Sequence, residues 1–206
     1  AIVDAQTREV RYLPPPPEQV PELMTGFVDS MRKWTDSCPG AIAAALTHFG
    51  LISIHPFEDA NGRTARLIAD MVLRITGSSA DGMVSISKVI HDRIGDYYGA
   101  LRDAQGKQFV EDVDVTPFVL FHTQALCDSA IELETKVIAF NKRKDELIRS
   151  PDGLLNKRQV TGMMFMLDIG PLSSSIYARL TEASQSSAIS DLTYLVNAGF
   201  AIRDGA

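Results

Sequence analysis

The clearest hydrophobic pattern lies between Pro21 and Pro39, where apolar residues recur at helical spacing. Pro21 stands where the first turn of a helix tolerates proline, so the pattern predicts an amphipathic helix that ends near Pro39-Gly40. Residues 41–54 follow and are apolar on nearly every face, which predicts a buried helix. The apolar positions of the first helix are Met24, Phe27, Val28, Met31 and Trp34.

A second nearly continuous apolar stretch runs from Arg63 to Thr76. It predicts another buried helix, closed by Gly77 at the position after its end. Residues 55–66 are polar and lie between these two buried helices, so we expect them at the mouth of a core. The apolar positions of this helix are Leu67, Ile68, Met71, Val72, Leu73 and Ile75.

Further elements follow from weaker patterns. Arg8 to Leu13 has strand character and leads into four prolines, which predicts a short hairpin arm before an extended polyproline segment. One helix is expected over Ser85 to Gln105. Thr116-Pro117 is a good helix start for a long helix that reaches about Ile148. The periodic positions of the Ser85 helix are Ile90, Ile94, Tyr97 and Leu101.

The remainder of the chain predicts a small separate domain. Ser150 to Gly153 breaks the chain, and we place the boundary there, with a first domain over residues 1–149 and a second domain over 150–206. Three short helices followed by a strand-like segment at 200–202 have the order of a winged helix. The overall expectation is a mainly α protein. The expected caps are Asn156 with Gln159 as a capping box, Ser173 and Ser184.

Composition places the chain among ordinary globular proteins, at 206 residues and 45% hydrophobic. No apolar tract is long enough to span a bilayer and no secretory signal pattern is present, so we expect a cytoplasmic protein without a membrane partner. Cys38 and Cys127 lie far apart without ligand-like spacing, and we expect both to be free thiols.

Charge is distributed unevenly along the chain. Residues 1–140 hold 12 Lys and Arg against 19 Asp and Glu, whereas residues 141–206 hold 8 against 7. Neither part has the strongly basic surface that non-specific binding of nucleic acid requires.

Residues 55–66 concentrate polar groups beyond the needs of an ordinary loop. An Asn-Gly turn ahead of Arg63 leaves free N–H groups at the start of a buried helix, where the dipole favours an anion. Arg63 and Arg66, three residues apart, suit a di- or triphosphate. Asp59 is placed to hold Mg²⁺, which takes one or two carboxylates together with phosphate oxygens. His55 provides a base suited to proton removal near neutral pH. The pattern predicts a phosphate-transfer site.

Taken singly, each of these residues has an ordinary structural role. A lone histidine is most often a core or surface residue, Asp59 and Asn61 are typical helix caps, and a helical arginine is usually solvated. Their joint occurrence favours the functional interpretation, because Arg66 on a mostly buried helix is costly without a partner. A metal site made by His55 and Asp59 is disfavoured by Pro56 and by the lack of a third clear ligand.

The segment from His55 to Arg66 resembles the signature of the Fic (filamentation induced by cAMP) family, His-Pro-Phe-any-Asp/Glu-Gly-Asn-Gly-Arg-any-any-Arg. It matches every specified position but one. The resemblance covers about Val10 to Gln124, and residues 150–206 have a weaker likeness to the winged-helix tail of many Fic proteins. Three flanking features are also similar to family members, namely the Tyr-Leu-Pro-Pro-Pro-Pro run, His48-Phe49 and Tyr97-Tyr98.

This resemblance implies AMPylation, the transfer of AMP from ATP with Mg²⁺ to a protein hydroxyl. His55 is then the base that takes the proton of a target Ser, Thr or Tyr, and Asp59 is the ligand of Mg²⁺. The arm at about residues 1–13 corresponds to the end of a flap that holds the target in extended form by strand pairing. The implied nucleotide-binding residues are Phe57, Ala60, Asn61, Gly62 and Arg63 near the phosphates, Arg66 at the γ-phosphate, and Tyr97 and Gln105 beside adenine and ribose.

The chain departs from the family pattern in two ways. Ala60 replaces the usual glycine, which excludes an easy positive φ, although we expect activity to survive because a methyl group is small. The inhibitory helix of many Fic proteins, Ser/Thr-any-any-any-Glu-Gly/Asn, has no match in these 206 residues. Since the first residue is Ala, we expect that an N-terminal segment has been removed and that the inhibitory helix was lost with it or comes from a partner.

The tail is expected to serve dimerisation or target docking. Its candidate recognition helix, Ser186 to Ala198, has Asp191 as its one charged residue, which disfavours DNA binding. We therefore expect a protein substrate and a homodimer. Two alternatives stay open: removal of AMP or transfer from another nucleotide or phosphate donor at the same site, and a nucleotide-responsive DNA-binding regulator.

Overall fold

The computed structural model describes residues 2–3, 8–148 and 155–203, and it is mainly helical. An antiparallel strand pair comes first, formed by β1 (Ile2–Val3) and β2 (Val10–Tyr12), with Ile2 opposite Tyr12 and Val3 opposite Val10. The described helices are α1 (Val20–Ser37), α2 (Gly40–Ile54), α3 (Asn61–Ile75), α4 (Ser87–Asp92), α5 (Ile94–Gln105), α6 (Thr116–Ile148), α7 (Lys157–Asp168), α8 (Ser174–Thr181) and α9 (Gln185–Asn197).

The predicted buried helix over residues 41–54 is confirmed as α2, which packs between α1 and α3. Ala43, Ala44 and Ala45 have no exposed surface. Small side chains let neighbouring backbones approach closely, and the larger apolar residues farther along α2 then complete the core.

The prediction that α3 is apolar and buried almost all round was wrong. Val72 and Leu73 are buried, but Leu67, Met71 and Ile75 are exposed by 62%, 53% and 71%. The inner face of α3 is instead made by small residues that fit against α2, and hydrophobicity alone does not identify that face. Other buried members of this face are Ala65 and Ala69.

The single helix predicted over Ser85 to Gln105 is two helices in the structure. The chain leaves helical geometry at Arg93, whose φ is −121° and ψ is 44°. The Arg93 guanidinium lies 2.7 Å from the Asp128 carboxylate of α6. This long-range contact accompanies the break, which lies two residues before Gly95.

The structure divides into two compact units, residues 1–133 and 134–206. The division therefore lies inside α6, earlier than the predicted boundary between 149 and 150. The reason is that the later part of α6 belongs with the second unit, where Phe140 and Lys144 face Val160 and Met164 of α7 across a small cavity. The predicted break at Ser150 to Gly153 lies outside the described residues.

The second unit contains three capped helices, as predicted. Asn156 and Gln159 form a reciprocal capping box on α7, and Ser173 and Ser184 cap α8 and α9. The predicted strand at residues 200–202 is not formed. The N–H groups of Phe200 and Ala201 instead donate to the Leu195 carbonyl at 2.9 and 3.2 Å, which closes the end of α9.

Asp191 of α9 is buried rather than solvent-facing, and it joins the helices of the second unit. Its carboxylate accepts hydrogen bonds from Arg158 Nε at 2.8 Å, from the Tyr177 hydroxyl at 3.1 Å and from Gln159 Nε2 at 3.1 Å. A buried carboxylate is tolerated when such donors satisfy it. The proposed recognition helix therefore has no exposed charge.

Two smaller expectations also have outcomes. Cys38 and Cys127 are both free thiols, as predicted. In the described part of the chain, every helix is too short or too polar to cross a lipid bilayer.

Candidate active site

The polar segment 55–66 consists of the loop 55–60, which connects α2 to α3, and of the first residues of α3. His55 caps α2 in the left-handed region, with φ 53° and ψ 54°, and its N–H still donates to Leu51 O at 3.0 Å. Its Nδ1 lies 3.3 Å from the Ile52 carbonyl. A carbonyl only accepts, so Nδ1 carries the proton and Nε2 keeps its lone pair. Burial lowers the pKa of His55, and the Ile52 contact partly opposes this. The ring is therefore held as a neutral base.

Asn61 closes the loop with both ends of its side-chain amide. Its Oδ1 accepts from the Phe57 N–H at 3.0 Å, and its Nδ2 donates to the Phe57 carbonyl at 2.7 Å. The residue is 2% exposed, whereas the Phe57 side chain is 47% exposed. The Asn61 side chain is thus occupied within the loop. The backbone N–H groups in the first turn of α3, at 61–63, are the groups there without an intrahelical acceptor.

Ala60 adopts the backbone conformation that is not easy for alanine. It has φ 69° and ψ 7° as the residue that precedes α3. For a residue with a Cβ this conformation costs about 1–2 kcal/mol. The loop geometry that glycine adopts easily is therefore kept at an energetic cost.

Asp59 and Arg63 are joined to each other on the outer side of the loop. Asp59 Oδ2 lies 3.0 Å from Arg63 Nη2, and Asp59 Oδ1 accepts the Ala60 N–H. Both side chains are mostly exposed. An exposed pair of this kind contributes roughly 0.2–1 kcal/mol, so a competing cation or phosphate can separate it.

Arg66 lies over the first turn of α3. A Cβ placed on Gly62 would be 3.5 Å from Arg66 Nη1, which puts the guanidinium beside the free N–H groups of that turn. Arg66 and these N–H groups thus offer a place for an anion, whereas Arg63 is turned to Asp59. Gly62 keeps the approach open because it lacks a side chain.

A buried polar cluster lies within electrostatic range of Arg66. His48 and His122 are fully buried with ring centroids 5.4 Å apart, and His48 Nε2 lies 3.2 Å from the Tyr97 hydroxyl. Burial lowers the pKa of His48 well below its usual range, and the neighbouring His122 and Arg66 lower it further. Burial also raises the pKa of Asp70, against the effects of the Ser85 hydroxyl and Arg66. Burial therefore keeps His48 and His122 uncharged near neutral pH, because it lowers the pKa of both.

The two residues assigned to the adenine side have different environments in the structure. Tyr97 is 3% exposed and its ring packs against Phe118 and Phe121, so this ring is part of the core and offers no face for adenine. Gln105 is half-buried at the end of α5. Its Oε1 accepts from Ser53 Oγ at 3.2 Å, two residues before His55, which brings Gln105 close to the site.

Pattern reasoning missed the residues that tie the arm to the site. The Tyr12 hydroxyl donates to the Ser53 carbonyl at 2.8 Å. Leu13 exchanges backbone hydrogen bonds with Lys107 and Phe109, both at 2.9 Å. The Tyr-Leu-Pro run was a signal for Tyr12, but no local pattern connects Ser53 with α5.

Comparison with known proteins finds matches in one family. Residues 2–73 match the family model described as Fic/DOC family. The chain is 34% identical over 111 residues to "Protein adenylyltransferase Fic" of Nematostella vectensis, covering 53% of this chain and 23% of that protein. It is 27% identical over 150 residues to "Protein adenylyltransferase fic-1" of Caenorhabditis elegans, covering 72% of this chain and 27% of that protein.

A solved structure is similar to most of the chain. The match to a Fic family protein from Desulfovibrio desulfuricans G20 covers 90% of this chain and 50% of that protein's chain. The TM-score is 0.52 and the sequence identity is 26%. These findings confirm the resemblance to the Fic family, and the mainly helical structure has a neighbour in that family. The chain spans about a quarter of the length of the two adenylyltransferases it matches.

Proposed function

We propose that this chain transfers AMP from ATP to a hydroxyl side chain of a target protein. The observation that carries the proposal is the meeting of three groups at one loop: the neutral His55 base, the free N–H groups of α3, and Arg66 beside Gly62. The adenylyltransferases that match this segment support the same reaction class. ATP is then a substrate, and AMP and pyrophosphate are the parts into which it is divided.

His55 is assigned the acceptor proton. With Nδ1 donating to Ile52, Nε2 is the atom that takes the proton of a Ser, Thr or Tyr hydroxyl as its oxygen attacks the α-phosphate. The oxygen to α-phosphorus bond forms while the α–β bridging bond breaks, and pyrophosphate leaves with the electron pair. The first turn of α3 and Arg63 stabilise the charge that develops, and Arg66 binds the terminal phosphate.

Asp59 is assigned to Mg²⁺, which would neutralise phosphate charge when bound. The described residues contain no group of three or more His, Cys, Asp or Glu arranged to hold a metal. A single exposed carboxylate nevertheless fits Mg²⁺, because this ion keeps several waters and shares its coordination with phosphate oxygens. The weak Asp59–Arg63 pair leaves both side chains free to turn to their ligands.

The remaining assignments concern partners. We assign the β1–β2 pair to a flap that aligns an extended target segment, supported by its bonds to Ser53 and to residues 107–109. We assign Arg66 as the residue that an inhibitory helix would contact, because a carboxylate of that helix would compete there with the terminal phosphate. Self-association is assigned to the second unit, whose α9 exposes Ile189 by 53% and has no exposed charge. The free cysteines support a cytoplasmic location.

Labelled ATP tests the reaction directly. With Mg²⁺ present, label at the α-phosphate should become protein-linked and label at the γ-phosphate should not. His55→Ala should reduce this transfer by about 100-fold or more, since that is the range for loss of a general base. His91→Ala, at an exposed histidine of α4, is the matched control and should retain activity. A folded chain that binds ATP but labels neither itself nor any offered protein would contradict the proposal.

A further inference from the structure

A groove of about 680 Å³ lies between α1, the second half of α2 and residues 109–115. Its size is that of a ligand-binding cleft. None of the described residues 55–66 lines it, so it is separate from the nucleotide loop. Ser53 and Ile54 do line it, and they directly precede His55 along the chain. The groove therefore reaches the end of α2 that carries the base.

The walls of the groove combine aromatic and aliphatic side chains. A Cβ on Gly50 would come within 2.8 Å of the Phe27 ring, so glycine lets this ring lie directly against α2. A Cβ on Gly26 would meet nothing within 4 Å, which shows that the groove is open above α1. Further aromatic lining comes from Trp34, Phe49 and Phe109.

The charged groups of the groove are all acidic. Glu22 and Glu111 line it, and no lysine or arginine does so in the described part of the chain. Neither carboxylate has an ion-pair partner among the described residues. The surrounding residues 1–140 also carry more acid than base. An apolar groove with exposed acidic side chains is complementary to a cation attached to an apolar body.

We propose that this groove docks the target protein and selects a polypeptide segment in which an aromatic or aliphatic side chain lies next to a lysine or arginine. This inference rests on the proposed function, because transfer of AMP to proteins requires a surface that binds them. A segment anchored here ends beside Ser53 and Ile54, so an acceptor hydroxyl a few residues from the anchor lies close to His55.

Trp34 provides the binding measurement, since it is the single tryptophan of the chain and lines the groove. The probes are two short synthetic peptides that share a leucine, a phenylalanine and a serine and differ in carrying two lysines or two glutamates. We expect the basic peptide to change Trp34 emission and to bind about tenfold more tightly or better. Added salt should weaken this binding, because the carboxylates are at the surface.

Substitutions in the groove test the location. Gly26→Leu should fill open space and weaken the basic peptide about tenfold without harm to α1, since leucine is the better helix former. Ala130→Leu, on the exposed side of α6, is the matched control. Exchange of Glu22 and Glu111 for glutamine should remove the preference between the two peptides. ATP binding should be unchanged in every variant.

AMP transfer to the same peptides separates the two proposals. A lower KM for the basic peptide than for the acidic one supports the docking site. Gly26→Leu should raise that KM and leave kcat unchanged. Transfer with equal KM for both peptides overturns the docking site only. Basic-peptide binding without any transfer overturns the proposed function only. Equal binding of both peptides overturns the groove proposal. The proposal is also overturned if Gly26→Leu dissociates a dimer and leaves peptide binding unchanged, because the groove then serves contacts between copies of the chain.

Discussion

His122 should make the first unit lose stability between pH 7 and pH 5.5. The residue lies on α6, has no exposed surface, and meets the rings of His48 and Phe118. Neither of its ring nitrogens has a hydrogen-bond partner among the described residues. Burial lowers the pKa of His122 to about 4. Protonation therefore favours the unfolded chain, where the imidazole is solvated.

The sign and size follow from linkage. The folded-state pKa is lowered, so the unfolded chain binds more protons between its own pKa, about 6.5, and about 4. The stabilising contribution is complete above the unfolded pKa and is lost as pH falls. From pH 7 to pH 5.5 His122 alone should remove about 1.2 kcal/mol from the free energy of unfolding. The pKa of His48 is lowered too, so its effect has the same sign.

Urea unfolding followed by Trp34 emission is the appropriate assay, because Trp34 and His122 both belong to the first unit. His122→Phe removes the titrating group and keeps a ring against Phe118, so it should lose about 1.2 kcal/mol less than the natural chain over this pH range. His91→Gln, at an exposed histidine, should keep the full decline. If His122→Phe folds poorly, His122→Gln serves the same purpose. An equal decline in the natural chain and in the folded variants would refute the reasoning.

Three further predictions concern the loop and the second unit. Ala60→Gly should raise the free energy of unfolding by roughly 0.5–1 kcal/mol, measured in urea, because relief of the positive φ exceeds the entropy that glycine adds to the unfolded chain; a loss would contradict the strain. Arg66→Ala should weaken ATP about tenfold more than ADP in calorimetry, whereas Arg74→Ala should leave both unchanged; equal losses at Arg66 would remove its assignment to the terminal phosphate. Asp191→Ala should destabilise α7 to α9 by about 3 kcal/mol and speed their amide hydrogen exchange, because buried donors lose their acceptor. Unchanged exchange would show that the hydrogen bonds to Asp191 are dispensable for these helices.

The elements that local pattern predicted well are those whose signals lie within one helix. The periodic apolar positions of α1 and the serine and asparagine caps of the second unit are examples. Such signals act between residues a few positions apart, so they survive without knowledge of the partner surface. The exposed face of α3 was not predictable in this way, because it depends on what packs against the helix.

The grouping of polar side chains in residues 55–66 was determined by the sequence itself. A base, a carboxylate, an Asn-Gly helix start and two arginines within twelve residues cannot be far apart in any fold, since the chain itself holds them together. Residue type alone did not predict the conformation of this loop. The Asn61 side chain is bonded to the backbone of Phe57, and Ala60 adopts a positive φ.

Tertiary structure alone decided how the rest of the chain supports that loop. Tyr12 reaches Ser53, Ser53 reaches Gln105, and His48 reaches Tyr97 through hydrogen bonds between residues 41, 52 and 49 positions apart. Packing of the helices brings such pairs together, and no periodicity encodes it. The burial of Tyr97, the burial of His48 and His122, and the acidic apolar groove have the same origin, because each is a property of surfaces formed by several helices.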